Sequence, residues 1–283
     1  MPRRYFQVQD EQTFTGSTPD LVIPSNPYVD ILDVSLRATT ATAAVLTKTL
    51  LDTLNPLEIK LNNTAISSIR GSDLAALDAF LLGIYPIIGE TTAVGSTGKV
   101  EGLSMPIWGQ PKHGTWTTRA NFVAGTNLSV GVISLESEIV DKVLQDGYLS
   151  ALTTFFTPPS TSSFNDVFNT TMNGDLIGIL VFSTTVPTFA ADTISAREVR
   201  LFIDDGLAWQ VEWKNLVAAG ISGGNPNPPV VGTVFGQGFT NFYQNYGFYD
   251  NLDDPVPKGK KLKLQVSSDD TSAVRVIPLL KVK

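Results

Sequence analysis

The chain has 283 residues and a formal charge of −7, from 20 basic and 27 acidic side chains; its 17% charged residues fall below the about 25% of average soluble domains. Cysteine is absent and histidine occurs once, which excludes a disulfide framework, a Cys/His zinc site, cysteine nucleophiles and thiol redox chemistry. The acidic balance argues against a broad nucleic-acid surface, since phosphate neutralisation needs clustered Lys and Arg, while 42% hydrophobic residues are ample for a core.

In chain order, Met1-Pro2-Arg3-Arg4 leads into polar residues with no apolar leader, and no apolar stretch approaches the ~20 residues of a membrane span. The expectation is a soluble protein that enters no membrane. Tyr28–Arg37 predicts a strand of imperfect alternation, with Val29, Ile31, Asp33 and Ser35 on one face and Tyr28, Leu32, Val34 and Leu36 mainly on the other. Leu57, Ile59 and Leu61 alternate cleanly with polar neighbours, and Asn62-Asn63 follows as a turn. Ser72-Asp73 reads as a helix cap ahead of Leu74, Leu77, Phe80 and Leu81, with Gly83 as the stop. Further short helices are expected over Glu136–Gln145 and over Trp209–Ala219, the latter closed by Gly220. Asp204-Asp205-Gly206 is a second turn, and Leu262, Leu264 and Val266 form a second clean alternation. Residues 91–98, 158–163 and 222–229 read as Gly/Pro/Asn/Thr loops. Strands dominate, so the class is all-β.

The chain is internally duplicated. Val34–Thr40 resembles Ile179–Thr185, Leu57–Asn63 resembles Val199–Asp205, the helices ending at Gly83 and Gly220 correspond, Pro111-Lys112 matches Pro257-Lys258, and Val130–Ser134 matches Val274–Pro278. The pairs keep their order, and each is about 140 residues apart, close to half the chain.

The motifs that suggest chemistry are weaker than their structural readings. Gly220-Ile221-Ser222-Gly223-Gly224 matches a nucleophile elbow, yet it follows a helical stretch, precedes a Pro/Asn run, and has no histidine after it. His113 sits in a turn-like stretch. The pairs Asp204-Asp205, Asp253-Asp254 and Asp269-Asp270 invite a calcium reading but fit no EF-hand spacing, and solvated turns explain them. Asn62, Asn127 and Asn169 open glycosylation sequons that read as coincidental. No residue qualifies as catalytic, cofactor-binding or metal-ligating, and no cofactor is expected. Lys258, Lys260, Lys261 and Lys263 form the densest basic patch, suited to phosphates, lipid headgroups or a neighbouring subunit, or to a solvated strand face. Phe239, Tyr243 and Tyr246 belong to an aromatic-rich segment that suits an interface, a sugar-binding face or core packing.

Each half, with about eight strands and long loops, suits a jelly roll: two packed antiparallel sheets with Greek-key links. Two such units with no enzyme motif resemble the double jelly-roll major capsid proteins of tailless icosahedral DNA viruses, of the bacterial and archaeal internal-membrane type. Tyr28–Arg37, Leu57–Gly83 and Pro257–Lys283 carry the resemblance, most of all NPLEIKLNNTAISSIRGSDLAALDAF. It implies an all-β chain of two tandem eight-stranded antiparallel jelly rolls with a few short helices in loops, over 21–145 and 146–283. Residues 1–20 become a terminal arm, with Arg3 and Arg4 available to neighbours or lipid headgroups. The resemblance also implies a non-enzymatic role: homotrimers of pseudo-hexagonal outline that tile a virion shell assembled in the host cytoplasm. Expected partners are neighbouring trimers, vertex and minor capsid proteins and an internal membrane, with no direct bulk nucleic-acid binding. A β-sandwich binding module (a lectin-like or receptor-binding spike protein) is the alternative, and an esterase using Ser222 a third.

Overall fold

The computed structural model describes residues 4–14, 16–23, 28–40, 51–82, 87–89, 97–108, 114–123, 128–140, 147–187, 191–217 and 245–283. These fall into two compact units, the first built mainly from Met1–Leu149 and the second mainly from Ser150–Pro228 and Asn241–Val282.

The first unit contains β1 (Arg4–Phe14), β2 (Leu21–Ile23), β3 (Tyr28–Thr40), β4 (Leu54–Leu61), β5 (Thr64–Ile69), helix α1 (Gly71–Leu77), β6 (Ile87–Gly89), β7 (Thr97–Pro106), β8 (Trp116–Phe122) and β9 (Leu128–Val140). One of its sheets runs β1-β9-β3-β7-β6, and the other joins β2, β8, β4 and β5 in that order, all antiparallel. After β10 (Tyr148–Leu152), the second unit adds β11 (Thr154–Phe156), β12 (Phe164–Thr171), β13 (Asp175–Ser183), β14 (Glu198–Ile203), β15 (Gly206–Glu212), helical residues 213–217, β16 (Tyr246–Asp250), β17 (Lys261–Ser267) and β18 (Val274–Val282). Its sheets run β11-β18-β13-β16 and β12-β17-β14-β15.

Strand for strand, the two units share one topology. With β1, β2, β3, β4, β5, β7, β8 and β9 set against β11, β12, β13, β14, β15, β16, β17 and β18, every antiparallel pairing recurs. This is the eight-stranded, two-sheet order of a jelly roll. The chain is all-β with two jelly rolls.

The turns show why the repeat was visible in the sequence. Asn62 and Asn63 have φ of 49° and 65°, and Asp204 and Asp205 have 49° and 66°. Two consecutive left-handed residues make the tight turn whose twist suits a two-residue hairpin, and Asn and Asp tolerate that region. Each turn also clasps the strand beside it. Thr115 N–H donates to Asn62 Oδ1 and Asn62 N–H to the Thr115 carbonyl, both at 2.9 Å. Lys261 N–H donates to Asp204 Oδ1 at 3.0 Å, and Asp204 N–H to the Lys261 carbonyl at 2.9 Å. Even the irregularity repeats: pairing slips between Ile59/Lys60 on the first hairpin and between Leu201/Phe202 on the second.

Burial follows the alternations, with informative departures. In β3 the register shifts between Val29 and Ile31, so Val29 joins Leu32, Val34 and Leu36 in the core. The bulge turns the Asp30 carbonyl aside, where it accepts the N–H groups of Ile107 and Trp108 at 2.8 and 3.0 Å. The second core draws on both of its sheets, through Ile179 and Val181, Val199 and Leu201, Leu262, Leu264 and Val266, and Val274 and Val276.

Three expected helices change. The first starts at Gly71 and is capped by Arg70, whose carbonyl accepts Leu74 N–H, so Ser72 and Asp73 lie inside the first turn, buried; the helix continues as a π-turn over Asp78–Leu82. Glu136–Val140 is strand, because β9 is held between β1 and β3; 141–145 lie outside the described residues. Trp209–Glu212 is strand too, since the Asp204-Asp205 turn folds it onto β14.

Candidate assembly surfaces

The expected terminal arm is instead part of the first jelly roll. Arg4–Phe14 pairs with β9 along its length, Arg4 opposite Ile139 and Phe14 opposite Gly131. Residues beyond it are tied down as well: Thr18 exchanges backbone and side-chain hydrogen bonds with Ala120, and Asp20 pairs with Lys60 at 2.9 Å. The polar composition that suggested a loose arm belongs to a sheet-edge strand. Arg3 lies outside the described residues, as do Phe239, Tyr243, His113 and Ser222.

Tyr246 does not serve an interface. It is fully buried within the second unit, its ring 5.0 Å from Phe182, and its hydroxyl accepts from Arg275 Nη2 at 3.3 Å. The Arg275 guanidinium lies 3.6 Å over the Phe182 ring, so this aromatic cluster holds a buried cation in place of contacting a neighbour.

The lysine patch carries its own counter-charges. Lys260 Nζ donates to Asp204 at 2.5 Å, Lys261 Nζ to Asp205 at 3.0 Å, and Lys263 lies 3.4 Å from Asp166. The Lys258 N–H donates to Asp175 Oδ1 at 3.0 Å. The Lys260 hydrogen bond, followed by the Lys261 N–H, holds the Asp204 carboxyl below its ordinary range. The alternation places Lys261 and Lys263 on the outer face of β17, with Leu262 and Leu264 buried behind them, while Lys258 and Lys260 precede the strand. Their carboxylates come from distant strands and turns, which local patterning does not reveal.

The Asp269-Asp270 pair is likewise engaged. Asp269 takes Arg197 at 2.9 Å and the Ile194 N–H, and Asp270 accepts the Ser272 N–H. Among the described residues no three His, Cys, Asp or Glu side chains converge as a metal site.

Two features escaped sequence reasoning. The first is a carboxylate pair in the first unit, Asp78 buried and Asp33 half-buried. Asp78 is fully buried; its Oδ2 accepts the Ser104 N–H at 2.7 Å, and its Oδ1 is without a hydrogen-bond partner among the described residues. Ser104 Oγ donates to Asp33 Oδ1 at 2.7 Å. Burial, offset in part by the Ser104 N–H and reinforced by the Asp33 charge, pushes the Asp78 carboxyl well above the ordinary carboxylate range, and burial also raises Asp33. The second is a sheet edge that no described residue pairs with. Among the described residues β15 ends its sheet; it has no buried residue and leaves Leu207 54% exposed, whereas its counterpart β5 buries Ile66, Ser67 and Ile69.

No protein-family model matches the sequence. No curated protein matches it either. Solved structures do match, along the whole chain. The crystal structure of the STIV MCP superposes with a TM-score of 0.75 at 12% identity, covering 100% of this chain and 97% of that one. The atomic structure of Sulfolobus Turreted Icosahedral Virus gives 0.72 at 14%, over 99% and 90%. The major capsid protein P2 from bacteriophage PM2 gives 0.59 at 11%, over 98% and 96%. At these identities the likeness is one of fold.

Proposed function

We propose that this chain is the major capsid protein of an icosahedral virus, a structural subunit that self-associates and tiles a shell. The observation that carries the reading is the repeated strand order: one chain holds two jelly rolls of identical pairing, and chains of that design superposing over their full length are capsid proteins. The duplication bears on the mechanism. A subunit with two like units presents six in a trimer, and six like units give the near-hexagonal outline that packs a flat facet without gaps. Work of this kind needs complementary surfaces and no catalytic group, so the reading assigns no reaction and no cofactor. The place of action is the virion shell, with neighbouring trimers and vertex proteins as partners.

The acidic balance sharpens the reading. A shell lined by subunits of charge −7 repels a nucleic acid, so lipid or another protein separates the genome from most of the inner surface.

Native mass measurement tests this. The purified protein is expected at three times 30.5 kDa, with larger assemblies at higher concentration. A species that stays monomeric at every concentration overturns the proposal.

A further inference from the structure

The open edge at β15 has a specific occupant. An exposed strand edge is a template for further pairing, and proteins normally blunt one with lysine, proline or a covering segment. β15 reads Gly206-Leu207-Ala208-Trp209-Gln210-Val211-Glu212, with no lysine, no proline and one charge, at its last residue. It has no cover among the described residues. Its counterpart does: Ser67 Oγ on β5 donates to the Leu149 carbonyl at 3.3 Å, so the first unit lays chain against this edge.

The repeat says which segment belongs there. Ser67 pairs with Ile59 as Trp209 pairs with Leu201, so the two stand in equivalent places. The covering residue Leu149 comes just before β11, and β11 pairs with β18 as the end of β1 pairs with β9, Thr154 opposite Val276 and Thr13 opposite Val132. Leu149 is five residues before Thr154 (154 − 149), and the residue five before Thr13 is Val8 (13 − 5). Among the described residues β1 is itself the terminal strand of its sheet.

We propose that β15 pairs antiparallel with β1 of a second copy, Val8 opposite Trp209, so that each copy gives one edge strand to the next. Charge selects the direction. Antiparallel pairing sets Arg4 toward Glu212 and carries Asp10 and Glu11 to the Gly206 end, away from it. A parallel pairing sets Asp10 and Glu11 against Glu212. Because the contact joins two different surfaces, it propagates from copy to copy and closes a ring when the rotation allows. The inference rests on the capsid reading, and deepens it by naming the strands that join subunits.

The absence of cysteine makes the test clean. In this register Gln7 faces Gln210, both polar positions on edge strands. A chain carrying Gln7→Cys and Gln210→Cys, treated with a short bismaleimide after assembly, is expected to give covalent dimers and trimers, and either substitution alone only monomer. A blocking variant, Ala208→Lys with Gln210→Lys, is expected to raise the concentration needed for assembly about ten-fold or more, equivalent to about 1.4 kcal/mol of lost association, with an unchanged melting temperature. Assembled double-cysteine protein that stays uncrosslinked, a crosslink formed inside one chain, or a lysine variant that assembles like the unmodified chain overturns the strand pairing and leaves the capsid reading standing. Unmodified chain that never self-associates overturns both.

Discussion

Asp33 and Asp78 make the stability of the first jelly roll depend on pH in an unusual direction. Most native carboxylates are stabilised in their charged form and lose that contribution in acid. Here burial raises both, so the folded state binds protons more tightly than the unfolded chain, whose Asp titrates near about 3.9. Below that pH both states are protonated and the pair costs nothing. As pH climbs from there through the raised values, the unfolded state alone gains charge freely, and stability falls. The groups around Asp78 sharpen this: the Ser104 N–H lowers its pKa in part, and the Asp33 carboxylate raises it further. Asp78→Asn is therefore expected to flatten the decline of melting temperature with rising pH while keeping the Ser104 contact through its side-chain oxygen. An Asp78→Asn melting profile parallel to that of the parent across this range contradicts the assignment.

The left-handed turn residues give a second expectation at the same scale. Asn63 holds φ at 65°, where a β-branched side chain clashes with its own backbone. Asn63→Val should cost about 1–2 kcal/mol in denaturant unfolding, and Asn63→Gly should cost little.

Among the elements, legibility tracked the range of the forces that fix them. The Leu57-Ile59 and Leu262-Leu264-Val266 alternations, and the Asn62-Asn63 and Asp204-Asp205 turns, are set by two-residue periodicity and local backbone preference, so the chain displays them directly. Trp209, Trp213 and Leu216 have helical spacing, yet Leu207, Trp209 and Val211 also alternate; pairing of β15 with β14 decides between them, and among the described residues of this stretch 213–217 are helix. Glu136–Val140 has helix-favouring composition and is overruled by β1 and β3 on either side. The N-terminal strand was illegible for a related reason, because an edge strand need not be apolar. Tyr246 and the partners of the lysines depend on contacts far apart in sequence, which no local pattern encodes. The helical turn of the second unit also carries a test of packing. Leu216 lies over Gly247, and a Cβ added there meets Leu216 side-chain atoms at 2.6 Å. Gly247→Ala is expected to destabilise the second unit by about 1–3 kcal/mol, read as a lower denaturation midpoint, and Leu216→Ala in the same chain should recover part of the loss.

For the whole molecule, the repeat is the feature that turns a fold into a function. A single jelly roll serves many roles, and fold alone does not assign one. Two with the same pairing scheme in 283 residues, and an edge in the second unit that no described residue covers where the first unit's counterpart is covered, are the features on which the proposed self-association rests. The scarcity of reactive side chains fits the same account: without cysteine, copies crowded in a shell cannot crosslink by oxidation. Electron microscopy of the purified, self-associated protein tests the account most directly. It predicts particles viewed down a threefold axis with six like lobes in a near-hexagonal outline. Compact particles lacking that outline, or single two-lobed subunits at every concentration, would contradict it.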